Sequence, residues 1–196
     1  MLLIVEPDHK NGLPPLAKAA KALGRDVYYG GWFIPTHLMH SSGAVYGEQM
    51  FCKSVAKQMN WKLLANPSDW VSKLPEEYAS KEATTFTSKY RCFVKNRVVI
   101  TACCYWKKSV KMTEAELNKP ENYINNHDAV IDFVDKMLTD KQIKCAPGTV
   151  IDVARFKKDT YTVIDSIAVW TSPIYGCDMA AVLDAISVAC IADEDK

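Results

Sequence analysis

Two aspartates near the end of the chain have the residue type and spacing to hold a cation together. Residues 149–168 read TVIDVARFKKDTYTVIDSIA, which predicts two strands joined by a turn at residues 157–159. That hairpin would bring Asp152 and Asp165 within reach of one cation or one metal-bound phosphate, because hard cations prefer oxygen ligands. The alternative is that both carboxylates only satisfy turns and neighbouring backbone N–H groups. Alternation along the second strand predicts one shared face for Tyr161, Val163, Asp165 and Ile167.

A second group of chemically useful side chains lies in residues 90–108, YRCFVKNRVVITACCYWKK, a predicted hairpin that turns at Lys95-Asn96. No acidic residue occurs between Glu82 and Glu114, so positive charge is concentrated in this hairpin. The basic residues of the region are Lys89, Arg91, Lys95, Arg97, Lys107, Lys108 and Lys111.

The hairpin also carries aromatic residues between its basic ones. Arg91, Lys107 and Lys108 are candidates for holding phosphates, and Tyr105 is a candidate for stacking on a base. These features predict either a nucleotide-like anionic ligand or a single-stranded nucleic acid. The alternative is a solvated basic hairpin that keeps an exposed sheet edge from aggregating.

An aromatic turn follows the second aspartate strand. Trp170 and Tyr175 lie in this turn and are candidates for ligand contacts or for aromatic residues at the edge of the core. Asp178 is the predicted N-cap of a last helix, whose apolar side extends to Cys190.

The remaining elements predict an α/β fold. A strand at Leu2–Val5, a helix at Pro14–Leu23 and a strand at Val27–Tyr29 form a β-α-β opening that favours a parallel sheet. Further predicted elements are a helix at 44–59, a strand at 61–64 and a helix at 121–138. No G-x-G-x-x-G follows the first strand, so no dinucleotide site is indicated.

Composition indicates a globular protein with a real core. The chain has 196 residues, of which 48% are hydrophobic and 24% charged, and a net charge of +1 that indicates no particular partner. Its seven cysteines form no C-x-x-C pair, and its opening MLLIVEPD is too short for a signal peptide, so we expect free thiols and a cytoplasmic location. The apolar stretch near the C-terminus is interrupted by Asp184, and no membrane span is predicted.

Several of these stretches together resemble the ATP-grasp superfamily, in its phage and bacterial branch. VIDVARF, YTVIDSIAVW and SPIYGCDMAAVL are similar to its aspartate-valine strand, V-[IV]-E-x-N strand, W-x-[SA]-G-x-Y turn and G-C-D helix start. YGEQMF and KLLANPSDWVSKLPEEY resemble its N-terminal lobe, and YRCFV resembles its E-Y-R-x-F-V strand. The resemblance implies a Rossmann-like lobe at residues 1–80 and an ATP-grasp core at residues 81–196.

The resemblance also implies chemistry, and the sequence departs from it at the metal site. In the family pattern ATP binds with magnesium held by Glu and Asn, whose positions here are Asp165 and Ile167, and isoleucine offers magnesium no oxygen. Pro173 replaces a glycine of the aromatic turn. Only eleven residues separate Tyr78 from Tyr90, too few for the family's lid lobe, so we expect the lid to be missing.

Three hypotheses follow. The leading one is a catalytically degenerate ATP-grasp protein, a pseudoenzyme that binds a nucleotide-like ligand or a host protein in phage and host conflict, where an anti-defence role would lie. The second is a surviving ATP-dependent carboxylate-amine ligase, in which Asp152 and Asp165 hold magnesium and Arg91 with Lys107 or Lys108 holds phosphates. The third is a single-stranded nucleic-acid-binding module. The sequence leaves the oligomeric state open.

Overall fold

A computed structural model describes residues 1–6, 15–30, 34–38, 43–80, 85–108, 127–157 and 160–192. Three of the features predicted above therefore lie outside the described residues: Lys111, the first part of the 121–138 helix and the turn at 158–159. Within the described ranges the chain forms a three-stranded, a two-stranded and a four-stranded sheet. The prediction of an α/β fold is confirmed.

The N-terminal sheet is parallel and has the order β2-β1-β3. It consists of β1 at Leu2–Val5, β2 at Asp26–Tyr29 and β3 at Gly43–Tyr46, with helix α1 at Pro15–Ala22 between the first two. The predicted β-α-β opening is confirmed. The helix predicted over 44–59 is wrong at its start, because residues 43–46 pair with β1 and only Gln49–Met59 forms helix α2.

Burial explains why residues 43–46 are a strand. Ala44 and Val45 are fully buried opposite Leu3 and Ile4 of β1, in the interior of the sheet. A Cβ atom at Gly43 would lie 2.3 Å from the carbonyl oxygen of Leu2, so the close approach of β3 to β1 requires glycine there. The packing of the parallel sheet thus outweighs the helical pattern of the sequence.

A small antiparallel sheet joins the two ends of the chain. It pairs β4 at Trp61–Leu63 with β9 at Cys190–Ala192. The last helix, α4, spans Met179–Ser187, so the prediction that Cys190 belongs to this helix is wrong. Asp178 is the N-cap of α4 as predicted, since its Oδ1 accepts a 2.8 Å hydrogen bond from the backbone N–H of Ala181.

The C-terminal sheet is antiparallel and has the order β6-β5-β7-β8. Its strands are β5 at Ser88–Lys95, β6 at Val98–Lys107, β7 at Gly148–Lys157 and β8 at Thr160–Ile167, and helix α3 at His127–Thr139 lies between β6 and β7 in the chain. Both predicted hairpins are confirmed. Asn96 and Arg97, with φ of 50° and 71°, form the tight turn between β5 and β6.

The two faces of the C-terminal sheet pack in different cores. The Tyr90 face, which includes Cys92, Ile151 and Val153, packs against α3. The opposite face, which we call the Arg91 face, includes Phe93 and packs against α4 and the N-terminal sheet in one continuous cluster. This cluster contains residues of both predicted domains, 1–80 and 81–196.

A β-bulge in β8 changes which side chains share a face. Val153 pairs with Val163 but Asp152 pairs with Asp165, so Ile164 is the extra residue. Val163 therefore belongs to the core at α3, whereas Ile167 packs in the core at α4. The prediction that Tyr161, Val163, Asp165 and Ile167 share one face is wrong, because simple alternation does not anticipate the bulge.

Two further predictions concern the lid and the membrane. Residues 79–80 and 85–87 lie outside helices and strands and residues 81–84 are not described, so the missing lid stays a prediction. In the described part of the chain, no helix has the length and apolar character needed to cross a membrane.

Candidate functional site

The centre of the C-terminal sheet contains a buried ion pair. Arg91 on β5 lies directly opposite Asp152 on β7, and each is only 3% exposed. The guanidinium Nε donates to Oδ1 of Asp152 at 2.9 Å and Nη2 donates to Oδ2 at 2.7 Å. This two-pronged geometry is the strongest form of an arginine–carboxylate contact.

Tyr105 adds a third hydrogen bond to the same carboxylate. Its hydroxyl donates to Oδ2 of Asp152 at 3.1 Å. A register shift between Lys89 and Tyr90 leaves Tyr105 as the unpaired extra residue of β6, which places it beside the pair. Burial raises the pKa of Tyr105 well above its ordinary range and the charge of Asp152 raises it further, so the phenol remains a donor.

The aromatic turn after β8 closes over the arginine. The carbonyl of Pro173 accepts a hydrogen bond from Nη1 of Arg91 at 2.8 Å. The ring of Tyr175 stacks on that of Tyr105 with centroids 5.0 Å apart and planes within 6°. Cζ of Arg91 lies 4.7 Å from the Tyr175 centroid and 5.3 Å from that of Tyr105, within cation–π range.

The charge of Arg91 is retained in this buried place. Burial alone lowers the pKa of Arg91, but the hydrogen bonds and charge of Asp152 outweigh it and raise this pKa above its ordinary range. Tyr175 adopts a φ of 52°, a left-handed conformation that costs a residue with a Cβ atom of the order of 1 kcal/mol or more. The aromatic turn is thus held in a strained backbone geometry beside the ion pair.

Tyr46 belongs to this site, and the sequence patterns did not single it out. It lies at the carboxyl end of β3, and its hydroxyl donates to the carbonyl of Ser172 at 2.7 Å. Burial and then Cys52 raise the pKa of Tyr46 to about 12, with Arg91 opposing the rise. The signal available in the sequence was its place at the end of a parallel strand, where α/β sheets bind ligands.

The second predicted metal ligand is placed beside the first and serves another contact. Asp165 pairs with Asp152 in the register of β7 and β8, but its side chain is exposed and accepts a 2.7 Å hydrogen bond from the N–H of Ser166. Ile167 lies opposite Val150 and packs in the core. Over the residues that the structure describes, no group of three or more His, Cys, Asp or Glu side chains could hold a metal ion.

The predicted phosphate-binding lysines lie away from Arg91. Lys107 pairs with Ser88, whose hydroxyl lies 3.1 Å from that of Tyr90, so the register puts Lys107 on the Tyr90 face. Lys108 is exposed at the end of β6. The structure does not bring Lys107 together with Arg91.

Other basic residues of the hairpin make contacts within the molecule. Arg97 donates to backbone carbonyls at the end of α3, and Lys95 lies 3.6 Å from a carboxylate oxygen of Asp184. The ammonium of Lys89 lies 5.4 Å from the centre of the Trp106 ring. The predicted basic surface is therefore partly converted into internal contacts.

Trp170 is a core residue. It is 4% exposed, and its indole N–H donates to the carbonyl of Leu64 at 3.2 Å. All seven cysteines are free thiols, as the sequence predicts.

A cleft of about 810 Å³ opens beside Tyr175. Arg91 and Asp152 do not line it, so the cleft and the buried ion pair are neighbours that meet at Tyr175. The residues that line the cleft are Ala19, Ala22, Leu23, Thr101, Ala102, Ile131, Tyr175, Gly176, Cys177, Asp178, Met179 and Ala180.

A parallel Rossmann-like sheet packed on an antiparallel sheet with a paired arginine and aspartate at its centre is the architecture that the resemblance to the ATP-grasp superfamily implies. A family model described as an ATP-grasp domain, the second family of its clade, matches residues 36–185, about three quarters of the chain. The chain belongs to this ATP-grasp family. No curated protein matches the chain.

Proposed function

We propose that this ATP-grasp-fold protein binds a ligand or partner and carries out no ligation. The observation that carries the proposal is the state of Asp152, whose two oxygens accept three hydrogen bonds from Arg91 and Tyr105 inside the protein. A magnesium ion bound there would have to displace charged donors from a buried carboxylate. Separating such a pair leaves an uncompensated buried charge, at a cost of about 3–5 kcal/mol.

The ligand set for magnesium is also incomplete in this chain. Asp165 offers one short carboxylate and Ile167 offers only hydrocarbon at the position where the family pattern has an oxygen ligand. Magnesium requires near-octahedral oxygen coordination, usually through carboxylates together with substrate phosphates. Metal-assisted phosphoryl transfer therefore has weak support from these residues.

Two occupant classes fit a binding role, a nucleotide-like anion and a protein. The tyrosine pair at positions 105 and 175 and the open cleft beside it support binding near the ancestral nucleotide site. A setting in phage and host conflict, suggested by the resemblance to the phage and bacterial branch, stays a prediction.

The test is binding of magnesium-ATP measured by thermal shift and by calorimetry. A ligand at about 100 times its Kd stabilises a protein by about 2.7 kcal/mol, which is several degrees for a chain of this size. We expect no shift with magnesium-ATP. An ATP-dependent shift that is lost in Asp165→Ala would overturn the proposal, and because Asp165 is exposed this variant should fold normally.

A carboxylate-amine ligase is the second candidate, favoured by one observation. Asp152 and Asp165 lie directly opposite each other on β7 and β8, as a shared metal site requires. If the ligase function holds, substrate binding must open the Arg91 contact and release Asp152 to the metal. ADP release in the presence of amines and carboxylates, absent from Asp165→Ala, would establish it.

A further inference from the structure

The outer edge of β6 is an exposed strand edge. In the sheet order β6-β5-β7-β8, β6 pairs with β5 on one side only, and no other described strand pairs with it. Its range, Val98–Lys107, makes it one of the two longest strands of this sheet. An unpaired edge presents a row of backbone N–H and C=O groups that another extended chain can pair with. At the start of β6 the N–H of Val99 donates to Oδ1 of Asp135 at 2.8 Å, so the pairing edge begins beyond that residue.

The opposite edge of the sheet is protected. The backbone N–H of Val163 on β8 donates to the carbonyl of Tyr78 at 2.7 Å, and the hydroxyl of Thr162 accepts from the N–H of Ser80 at 2.9 Å. The segment around Tyr78 therefore covers the β8 edge. In the described residues, a comparable covering segment does not pair with β6.

The cleft beside Tyr175 lies along this β6 edge. Thr101 and Ala102 in the middle of β6 contribute to it, with Ile131 of α3 on the Tyr90 face and the start of α4 on the Arg91 face. Leu23, at the end of α1, also lines the cleft and is 51% exposed. An apolar hollow is thus attached to the row of unpaired backbone groups.

The chemistry of the cleft excludes phosphate as its occupant. Within the described chain, Asp178 is its one charged lining residue and no Lys, Arg or His lines it. A second copy of the chain is also a poor fit, because a twofold contact would press this concave surface against itself. A slender extended chain with an apolar side chain fits both the hollow and the backbone groups of β6.

Charge selects among extended chains. Lys107 and Lys108 follow at the end of β6, and the sequence from residue 83 to residue 113 has no acidic residue. A peptide with acidic residues at the end that lies beside these lysines would be attracted, and a basic peptide would be repelled.

We propose that the β6 edge binds an extended peptide segment of a partner protein, which adds a fifth strand to the sheet. The peptide places an apolar side chain in the cleft near Leu23 and acidic residues beside Lys107 and Lys108. This inference rests on the proposed binding function, since it names the class of partner that the protein binds.

The experiment selects peptides from a displayed random library of about twelve residues against the immobilised full chain. We expect enrichment of sequences with alternating apolar residues, no central proline and acidic residues at one end. Binding of the enriched peptides should fall about tenfold or more in Leu23→Asp, as for an anchor at the centre of an interface. The paired charge reversal Lys107→Glu with Lys108→Glu should weaken binding several-fold and reduce its salt dependence.

Matched controls separate this site from general surface effects. Met50→Asp changes an apolar side chain that is 71% exposed on α2, and the pair Lys53→Glu with Lys57→Glu changes exposed lysines of that helix. These variants should bind the peptides like the unchanged protein. Each enriched peptide is also made with N-methyl groups at alternate backbone nitrogens, which should abolish binding if backbone pairing holds it.

Hydrogen exchange locates the bound peptide. Backbone amides of β6 should gain protection, whereas those of β8 should not. The inference is overturned if no peptide is enriched over Leu23→Asp, if β6 amides gain no protection, or if light scattering shows a dimer that Leu23→Asp dissociates. Magnesium-ATP binding is measured in parallel, so failure of the peptide site and failure of the proposed function are read from different assays.

Discussion

Asp152 is the residue on which the interior of the C-terminal sheet depends. It connects β5, β6 and β7 through Arg91 and Tyr105, and Arg91 extends the connection to the carbonyl of Pro173. A buried ion pair of this kind adds little net stability compared with hydrocarbon, but the loss of one partner is costly. The pair therefore holds the aromatic turn in one arrangement.

We predict that Asp152→Ala lowers the free energy of unfolding by about 3–5 kcal/mol, because it leaves the Arg91 charge buried without a partner. Replacing both residues, with Arg91→Met and Asp152→Leu, should be less damaging than the single change. Urea denaturation measures both. Asp165→Ala is the matched control and should stay within about 0.5 kcal/mol of the unchanged protein. An equally small effect of Asp152→Ala would show that the pair is not closed in solution.

Tyr105→Phe tests the third hydrogen bond separately from the ring stack. The variant keeps the ring against Tyr175 but removes a donor to a charged carboxylate, a contact worth about 1.5–3 kcal/mol. Tyr175→Phe, which also keeps the stack, should have a smaller effect on the unfolding free energy. If the two variants lose the same stability, the hydroxyl of Tyr105 is not the special contact.

At the scale of elements, the turn of the β5–β6 hairpin is tied to α3. Arg97 donates from Nε and Nη2 to the carbonyl of Leu138 and from Nη1 to that of Ile143 at 2.8 Å. The N–H of Val99 also donates to Oδ1 of Asp135 at 2.8 Å. The last carbonyls of a helix lack partners within the helix, and a cation there also interacts favourably with its dipole.

We predict that Arg97→Met lowers the unfolding free energy by about 1–3 kcal/mol, because it leaves the last carbonyls of α3 without their donor. Protection of backbone amides against hydrogen exchange should fall most in the final turn of α3. Lys141→Met, an exposed basic residue just after that helix, is the control. Uniform loss of protection along the whole sheet would contradict a capping role.

At the scale of the whole molecule, the two sheets share one core and one surface ion cluster. Arg25, after α1, lies 2.7 Å from Oδ1 of Asp184 on α4, and Lys95 of β5 approaches Oδ2 at 3.6 Å. The hydrogen bond from Arg25 is the largest cause that lowers the pKa of Asp184. Asp184 thus connects the N-terminal and C-terminal parts of the chain.

Because the pKa of Asp184 is lower in the folded protein, its contribution is present above the unfolded value of about 4 and is lost as pH falls through the folded pKa. We predict that Asp184→Asn loses up to about 1 kcal/mol at pH 7, since half-exposed pairs are weak. The two proteins should become equally stable in strong acid. Denaturation at several pH values and at high salt, which should shrink the difference, measures this.

The sequence by itself determined the order of the main elements, the two hairpins, the Asp178 cap and the family. These depend on local patterns: alternation, turn residues and apolar runs, together with motifs such as VIDVARF and YGCD. Ile167 could also be seen from the sequence to break the metal pattern, because a residue type is enough to exclude a ligand.

Only the tertiary structure decided what the candidate site residues contact. The bulge at Ile164 returned Asp165 to the side of Asp152, and the shift at Tyr105 brought its hydroxyl to the same carboxylate. Residues 43–46 became a strand because β1 was available to pair with them. Register, bulges and burial arise from contacts between distant segments, which no local pattern encodes, so the closed pair of Arg91 and Asp152 emerged only in the fold.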